Sequence, residues 1–114
     1  MSTDCIFCKI ARREIPANEL ARTGDAVAFA DLDPQAPQHV LVVPLRHADT
    51  LGDYIAAEGA EAAGRVLALA SRIGRERAPG GYRVVVNEGA DGGQTVFHLH
   101  FHVLGGRHMT WPPG

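Results

Sequence analysis

Three histidines alternate with apolar residues near the end of the chain, and this alternation limits the possible local structure more than any other feature. His98, His100 and His102 stand in the run from Phe97 to Leu104. Because successive side chains of a β-strand point to opposite faces, a strand would place the three imidazoles on one face, about 7 Å apart. We therefore predict a strand over residues 96–104 whose apolar side, including Phe97, anchors it in a core. A row of groups that titrate near neutral pH predicts a functional site rather than an ordinary surface strand.

Length and charge restrict the class of protein. A chain of 114 residues with a formal net charge of -2 predicts one small domain, which we place at residues 5–114. Acidic and basic residues are scattered, so we expect neither a nucleic-acid partner nor a membrane surface. No apolar run approaches the ~20 residues of a membrane span. The first residues lack the pattern of a signal peptide, and we expect a cytoplasmic protein.

The hydrophobic pattern predicts an α+β domain. Apolar residues at three- and four-residue spacing predict one long helix over residues 51–77, followed by a stop at Pro79. A short helix over 6–13 precedes strands over 19–22, 26–29 and 39–43, and further strands are predicted over 82–86 and 96–104. Short connections in this order favour one antiparallel sheet with the long helix packed on it.

The segment before the histidines is a candidate phosphate-binding loop. Residues 87–95 contain three glycines, at which main-chain N–H groups can approach an anion without steric interference from a Cβ atom. Asn87, Gln94 and Thr95 add side-chain donors beside the histidine row. Because the loop contains no lysine, the combination of neutral donors and imidazoles predicts a phosphate group as the ligand.

Cys5 and Cys8 are the only cysteines and have the spacing of metal ligands. Two cysteines need two further ligands to complete a tetrahedral zinc site, and His47 and His98 are the candidates. The alternative is a pair of half-buried free thiols, and the sequence leaves both possibilities open. A third possibility, one catalytic metal bound by His98, His100 and His102 together, is disfavoured because strict alternation spaces the three ligands too widely and too linearly.

Motifs along nearly the whole chain resemble one known family. The run from His98 to Leu104 is similar to the H-x-H-x-H motif of the histidine triad superfamily. The further motifs resemble its Hint branch, the histidine triad nucleotide-binding proteins: Ile6-Phe7-Cys8-Lys9-Ile10, Glu14-Ile15-Pro16, Asp33-Pro34-Gln35-Ala36-Pro37, Val85-Val86-Asn87-Glu88-Gly89, Asp91-Gly92-Gly93-Gln94 and Trp111-Pro112-Pro113-Gly114. The ending distinguishes this branch from dinucleoside polyphosphate hydrolases.

The resemblance implies a fold, an activity and a set of site residues. It implies a homodimer with a sheet continuous between subunits, and hydrolysis of the P–N bond of purine nucleoside phosphoramidates. It makes His100 the nucleophile and places His98, His102 and His39 around it. It further implies a nucleotide site in which Asn87, Gly93, Gln94, Thr95, His100 and His102 surround the phosphate, Asp31 and Leu32 hold the ribose, and Ile6, Phe7, Ile10 and Phe29 line the base pocket. Some bacterial members resemble this chain in having structural zinc ligands.

The chemistry of imidazole agrees with these implied roles. A neutral imidazole can attack phosphorus if its second ring nitrogen is held as a hydrogen-bond donor, and we expect a main-chain carbonyl to hold it at His100. His102 and the loop donors would stabilise charge on the phosphoryl oxygens. Neither a magnesium site nor an organic cofactor is expected. The alternative to an enzyme is a zinc-stabilised nucleotide-binding module with regulatory function, in which His100 is not nucleotidylated.

Overall fold

The computed structural model describes residues 5–114, which form three helices around one antiparallel sheet. The elements are α1 (Ile6–Ala11), β1 (Glu19–Arg22), β2 (Ala26–Ala30), β3 (Gln38–Pro44), α2 (Leu51–Glu58), α3 (Ala60–Arg77), β4 (Tyr82–Val86) and β5 (Phe101–Gly105). The strand order is β1-β2-β3-β5-β4, and every neighbouring pair is antiparallel. The predicted α+β class is confirmed.

Apolar residues on both faces of the central strands place a core on each side of the sheet. In β3, Val40 and Val42 pack with α3, whereas Leu41 and Val43 pack with α1 on the opposite face. This alternation follows from the two-residue period of a strand. The sheet therefore has a long-helix face and a short-helix face. His102 lies opposite Leu41 in the β3–β5 pairing, and this register assigns it to the short-helix face.

The predicted single long helix is two helices. Gly59 has φ +95°, a backbone conformation that ends α2 and separates it from α3. Glycine adopts this region without the steric cost that a Cβ atom brings. The apolar periodicity continues across the break, and for this reason the sequence pattern predicted one helix over residues 51–77.

The histidine strand is shorter than predicted, since β5 begins only at Phe101. Phe101 pairs with Val86, the last residue of β4, so the residues before Phe101 have no partner in β4. The main-chain N–H of Leu99 donates instead to the carbonyl of Ala48 at 2.8 Å. Leu99, Phe101 and Val103 enter the long-helix core as expected, but Phe97 is 51% exposed and does not.

The edges of the sheet are β1 and β4, and the C-terminal segment leaves alongside β4. Arg83 of β4 donates a hydrogen bond to the main-chain oxygen of Thr110 at 2.8 Å. Within residues 5–114, no helix is both long and apolar enough to cross a membrane.

Candidate functional site

His100 is held in the orientation that a nucleophilic imidazole requires. Its Nδ1 lies 2.8 Å from the main-chain oxygen of His98, so Nδ1 carries the proton and donates it. The other nitrogen, Nε2, then keeps an unshared electron pair. The ring is mostly buried, with Phe7 edge-on at 5.1 Å and His102 at 5.0 Å between centroids. The expected main-chain carbonyl is therefore present, and it belongs to the preceding histidine of the motif.

A chain of hydrogen bonds sets the protonation of His39 and His102. The main-chain N–H of Gln35 donates to His39 Nδ1 at 3.0 Å, so the proton of neutral His39 lies on Nε2. That Nε2 is 2.9 Å from His102 Nδ1 and 3.4 Å from Asp31 Oδ2. His102 consequently accepts at Nδ1 and carries its own proton on Nε2, where it can donate to a ligand.

His102 is neutral at physiological pH. The pKa of His102 is lowered to about 4, mainly by burial and to a smaller extent by the neighbouring His100 and His39. A neutral ring that donates from Nε2 contributes a hydrogen bond to an anion without a formal charge. His39, His100 and His102 thus form a connected group on the short-helix face.

A second cluster contains the two cysteines. The ligand atoms of Cys5, Cys8, His47 and His98 all lie within 4.8 Å of one another. Cys5 Sγ is 3.3 Å from His98 Nδ1, Cys8 Sγ is 3.2 Å from His47 Nδ1, and the two Nδ1 atoms are 3.0 Å apart. Two thiols and two imidazoles converging on one point have the composition of a tetrahedral Cys2His2 zinc site.

The far nitrogens of His47 and His98 make this cluster suitable for a metal. His98 Nε2 is 3.0 Å from the main-chain oxygen of Pro44, and His47 Nε2 is 2.8 Å from Asp49 Oδ1. Both acceptors require a proton on Nε2, so both Nδ1 atoms direct an unshared electron pair into the cluster. Two lone pairs directed at each other repel, and a cation between the two Nδ1 atoms would replace this repulsion with coordination. A hydrogen-bond acceptor on the other ring nitrogen, Nε2, is typical of metal-bound histidines.

Two groups of the cluster, Cys8 and His98, are buried, whereas Cys5 and His47 are half-buried. Burial is the largest influence on His98 and lowers its pKa to about 4, so its ring is neutral at pH 7. Burial and the adjacent Cys5 raise the pKa of the Cys8 thiol to about 11. Metal binding at neutral pH would therefore displace thiol protons.

The group formed by Asp31, His39 and His102 fits a metal poorly, although its ligand atoms are also close together. The N–H of Gln35 occupies His39 Nδ1 and leaves the proton on Nε2, the nitrogen that would have to bind the metal. A single metal bound by His98, His100 and His102 together is also disfavoured, because each of the three rings bonds a different group.

The glycine-rich loop is organised differently from the prediction. The N–H groups of Gly93 and Gln94 donate within the loop, to the main-chain oxygens of Ala90 and Gly89, each at 3.0 Å. The Gln94 amide is buried and bonds the main chain of Gly89, Asp49 and Val96. Each of these donors bonds the main chain of this protein and thereby stabilises the loop. Asn87 is half-buried and Thr95 is exposed.

The residues predicted for the base and ribose fall into two environments. Phe7, Ile10 and Phe29 are buried together in the short-helix core, where Phe7 also contacts His100. Leu32 is 96% exposed, and Ile6 is 49% exposed. Ile6 and Thr95 line one surface pocket of about 390 Å³, together with Cys5, His47, Asp49, Val96 and Phe97.

Three groups in the site were not found from the sequence. Two are main-chain groups, the carbonyl of Pro44 and the amide of Gln35, and no residue type reveals such a role. The third is Asp49, which bonds His47 through its carboxylate and Gln94 through its main-chain oxygen. A carboxylate two residues after a suspected metal-binding histidine is the signal that could have revealed it.

Comparison with known proteins identifies the family. The family model described as HIT domain matches residues 12–109. An uncharacterized HIT-like protein of Synechococcus elongatus is 46% identical over the full length of both chains. The purine nucleoside phosphoramidase of Escherichia coli is 41% identical over 94% of this chain and 91% of its own.

Solved structures agree with the sequence comparison. The HIT family hydrolase of Legionella pneumophila superposes with a TM-score of 0.91 at 42% identity, covering 97% of this chain and 100% of its own. A Zn-bound histidine triad family protein of Mycobacterium smegmatis has a TM-score of 0.81 at 31% identity, covering 94% and 78% of the two chains. The fold is that of the HIT family hydrolases, and the chain belongs to the HIT domain family.

Proposed function

We propose that this protein hydrolyses the P–N bond of purine nucleoside phosphoramidates through a nucleotide covalently bound to His100. The observation that carries the proposal is the 2.8 Å bond from His100 Nδ1 to the oxygen of His98, which leaves Nε2 free to attack phosphorus. The name of the relative from Escherichia coli supports the choice of a purine nucleoside phosphoramidate.

The proposed reaction has two steps. His100 Nε2 attacks phosphorus, and the P–N bond breaks as the leaving nitrogen takes a proton from solvent water. Water then cleaves the nucleotidyl-histidine, releasing a nucleoside monophosphate and restoring neutral His100. His102 donates from Nε2 to a phosphoryl oxygen during both steps. Asn87 and Thr95 are further proposed phosphate contacts, and Asp31 is the proposed ribose contact.

The nucleophile is tested with adenosine 5'-phosphoramidate as substrate. His100→Ala should lower turnover to below about one thousandth, because the covalent route is lost. His102→Ala should cost about 10²-fold, the usual effect of removing one charge-stabilising donor. His108→Ala, which changes an exposed histidine, is the matched control.

Mass spectrometry of quenched reactions should find a nucleotide adduct on His100 in the wild-type protein. Near-normal turnover by His100→Ala would show that the nucleophile is wrongly assigned. Nucleotide binding by the wild-type protein without turnover or adduct would support the alternative, a regulatory binding module.

We further propose that Cys5, Cys8, His47 and His98 bind one structural zinc ion. The four converging ligand atoms and the protonation of the two far nitrogens support zinc at this position. Zinc would stabilise the junction of α1 with the sheet and takes no part in the chemical steps. The Zn-bound relative from Mycobacterium smegmatis is consistent with this proposal.

Elemental analysis tests the zinc site directly. Protein purified without chelator should contain about one zinc per chain, and Cys5→Ser/Cys8→Ser should contain none. Chelation should lower the thermal midpoint more than it lowers the turnover of protein that is still folded. Metal-free wild-type protein whose stability does not change with chelator would refute the site.

A further inference from the structure

The main-chain amide of Gln35 begins the chain of hydrogen bonds that runs through His39 to His102. We propose that this amide, held in place by Arg107, is a positioning group that makes His102 a hydrogen-bond donor toward the substrate. The kinetic consequence rests on the proposed phosphoramidate hydrolysis, whereas the structural claim about protonation does not.

The amide of Gln35 determines which nitrogen carries the proton, first on His39 and then on His102. While the N–H of Gln35 donates to His39 Nδ1, His39 must hold its proton on Nε2 and donate it to His102 Nδ1. Without that N–H, His39 can carry its proton on Nδ1 instead. The bond between the rings then reverses, His102 donates from Nδ1, and its Nε2 becomes an acceptor that repels phosphoryl oxygens.

The loop that carries Gln35 is ordered by its own side chains. The N–H of Asp33 donates to Asp31 Oδ1 at 2.8 Å, and the Gln35 side chain donates to the oxygen of Asp33 at 3.0 Å. Pro34 and Pro37 restrict the backbone on either side of Gln35. The loop thus presents the carboxylate of Asp31 and the amide of Gln35 to the same histidine.

Arg107 connects this loop to the end of β5. Its Nη2 donates to the main-chain oxygen of Gln35 at 3.1 Å. The preceding Gly106 has φ +88° and lies so close to the loop that an added Cβ would be 2.9 Å from Pro37 Cβ. A side chain at the exit of the histidine strand therefore fixes the peptide whose amide orients the histidines.

Two substitutions of Gln35 separate the amide from the side chain. Gln35→Pro removes the N–H, whereas Gln35→Ala keeps it and removes only the bond to Asp33. The full-length chain labelled with ¹⁵N-histidine is compared by NMR, which distinguishes protons on Nδ1 from protons on Nε2. In the wild-type protein and Gln35→Ala, His39 and His102 should be protonated on Nε2, and in Gln35→Pro both should shift toward Nδ1.

Turnover should follow protonation. Gln35→Pro should lower kcat at least about tenfold, approaching the effect of losing one charge-stabilising donor, with a smaller change in KM. Arg107→Ala should lower kcat about two- to fivefold, and Arg107→Lys should recover part of that loss. Arg107→Ala also tests the proposal by NMR if Gln35→Pro does not fold.

The two possible failures are distinguishable. Unchanged histidine protonation in folded Gln35→Pro, or in Arg107→Ala where the proline variant is unfolded, would overturn the positioning role whatever the substrate is. Protonation that shifts as expected in a protein without phosphoramidate turnover would support the positioning role and refute the proposed function.

Discussion

At the scale of single residues, the group bonded to one ring nitrogen decides what the other ring nitrogen of each histidine can do. His98 uses Nε2 to reach a carbonyl and directs the lone pair of Nδ1 to the cysteines. His100 uses Nδ1 to reach a carbonyl and keeps the lone pair of Nε2. Two histidines in one motif therefore differ in chemistry because opposite nitrogens hold the proton, one arrangement suited to metal binding and the other to nucleophilic attack.

The pH dependence of stability should reveal the buried, neutral His102. Its pKa is about 4 in the folded chain, against an ordinary value of 6.5. Between these values the unfolded chain binds a proton that the folded chain does not, so stability is complete above pH 6.5 and falls as the pH decreases toward 4. The thermal midpoint of the wild-type protein should therefore drop more between pH 7.5 and pH 5 than that of His102→Asn.

The comparison of these two proteins excludes loss of zinc as the cause, because both keep the four proposed ligands. Calorimetry at matched ionic strength measures both midpoints. Parallel decreases in the two proteins would contradict the depressed pKa.

The sequence shows the chemistry-bearing side chains of both clusters but, apart from the carbonyl expected at His100, not the groups that set their protons. The alternation of His98, His100 and His102 and the spacing of Cys5 and Cys8 are visible in residue types. The main-chain partners at Pro44 and Gln35 depend on tertiary contacts. For the same reason the sequence could not show that Gln94 bonds the main chain of Asp49 and Val96.

At the scale of elements, α3 packs against the sheet through one close approach. A Cβ added at Gly74 would lie 2.4 Å from the ring of Tyr82 in β4. Gly74→Ala should lower the free energy of unfolding by about 1–3 kcal/mol, since helix and strand must separate. Gly64→Ala is the matched control, because nothing lies within 4 Å of its added Cβ, and it should raise stability by about 0.5–1 kcal/mol.

Denaturant unfolding of the two variants measures this difference. Equal stabilisation by both substitutions would mean that α3 and β4 are not in close contact at Gly74.

The two errors in predicting elements have physical causes. Apolar spacing reports which face is buried and continues through Gly59, so it does not show where the main chain changes direction. Alternation likewise continues from Phe97 to Val103, although the main-chain partners needed for a strand exist only from Phe101 onward. Side-chain alternation predicted the buried face correctly from Leu99 onward but not at Phe97, whereas main-chain pairing decided where the elements end.

At the scale of the whole molecule, the two clusters connect distant parts of the chain. The cysteine cluster joins the start of α1 to the segments after β3 and before β5. The same residue, His98, then supplies the carbonyl that orients His100. The proposed zinc would thus stabilise both the packing of α1 and the peptide beside the nucleophile, which is why chelation is expected to affect thermal stability first.

We predict a homodimer in which β4 meets β4 of a second copy. Tyr82–Val86 is an edge strand with four apolar residues and one arginine, all of them only half-buried, and such an edge favours strand pairing. The C-terminal segment leaves along the same edge through the Arg83–Thr110 bond, and Trp111 is 81% exposed within one chain. A second subunit at β4 would cover the strand and this aromatic ring together.

Sedimentation equilibrium at several concentrations tests the dimer. The wild-type protein should have twice the 12.2 kDa mass of one chain at micromolar concentration. Val85→Lys should weaken association at least about tenfold, because a lysine on an edge strand opposes pairing with another edge. Val85→Thr, which has similar size and strand preference but no charge, should weaken association less. A wild-type monomer at these concentrations would count directly against the dimer, and equal association by the valine and lysine proteins would place the interface away from β4.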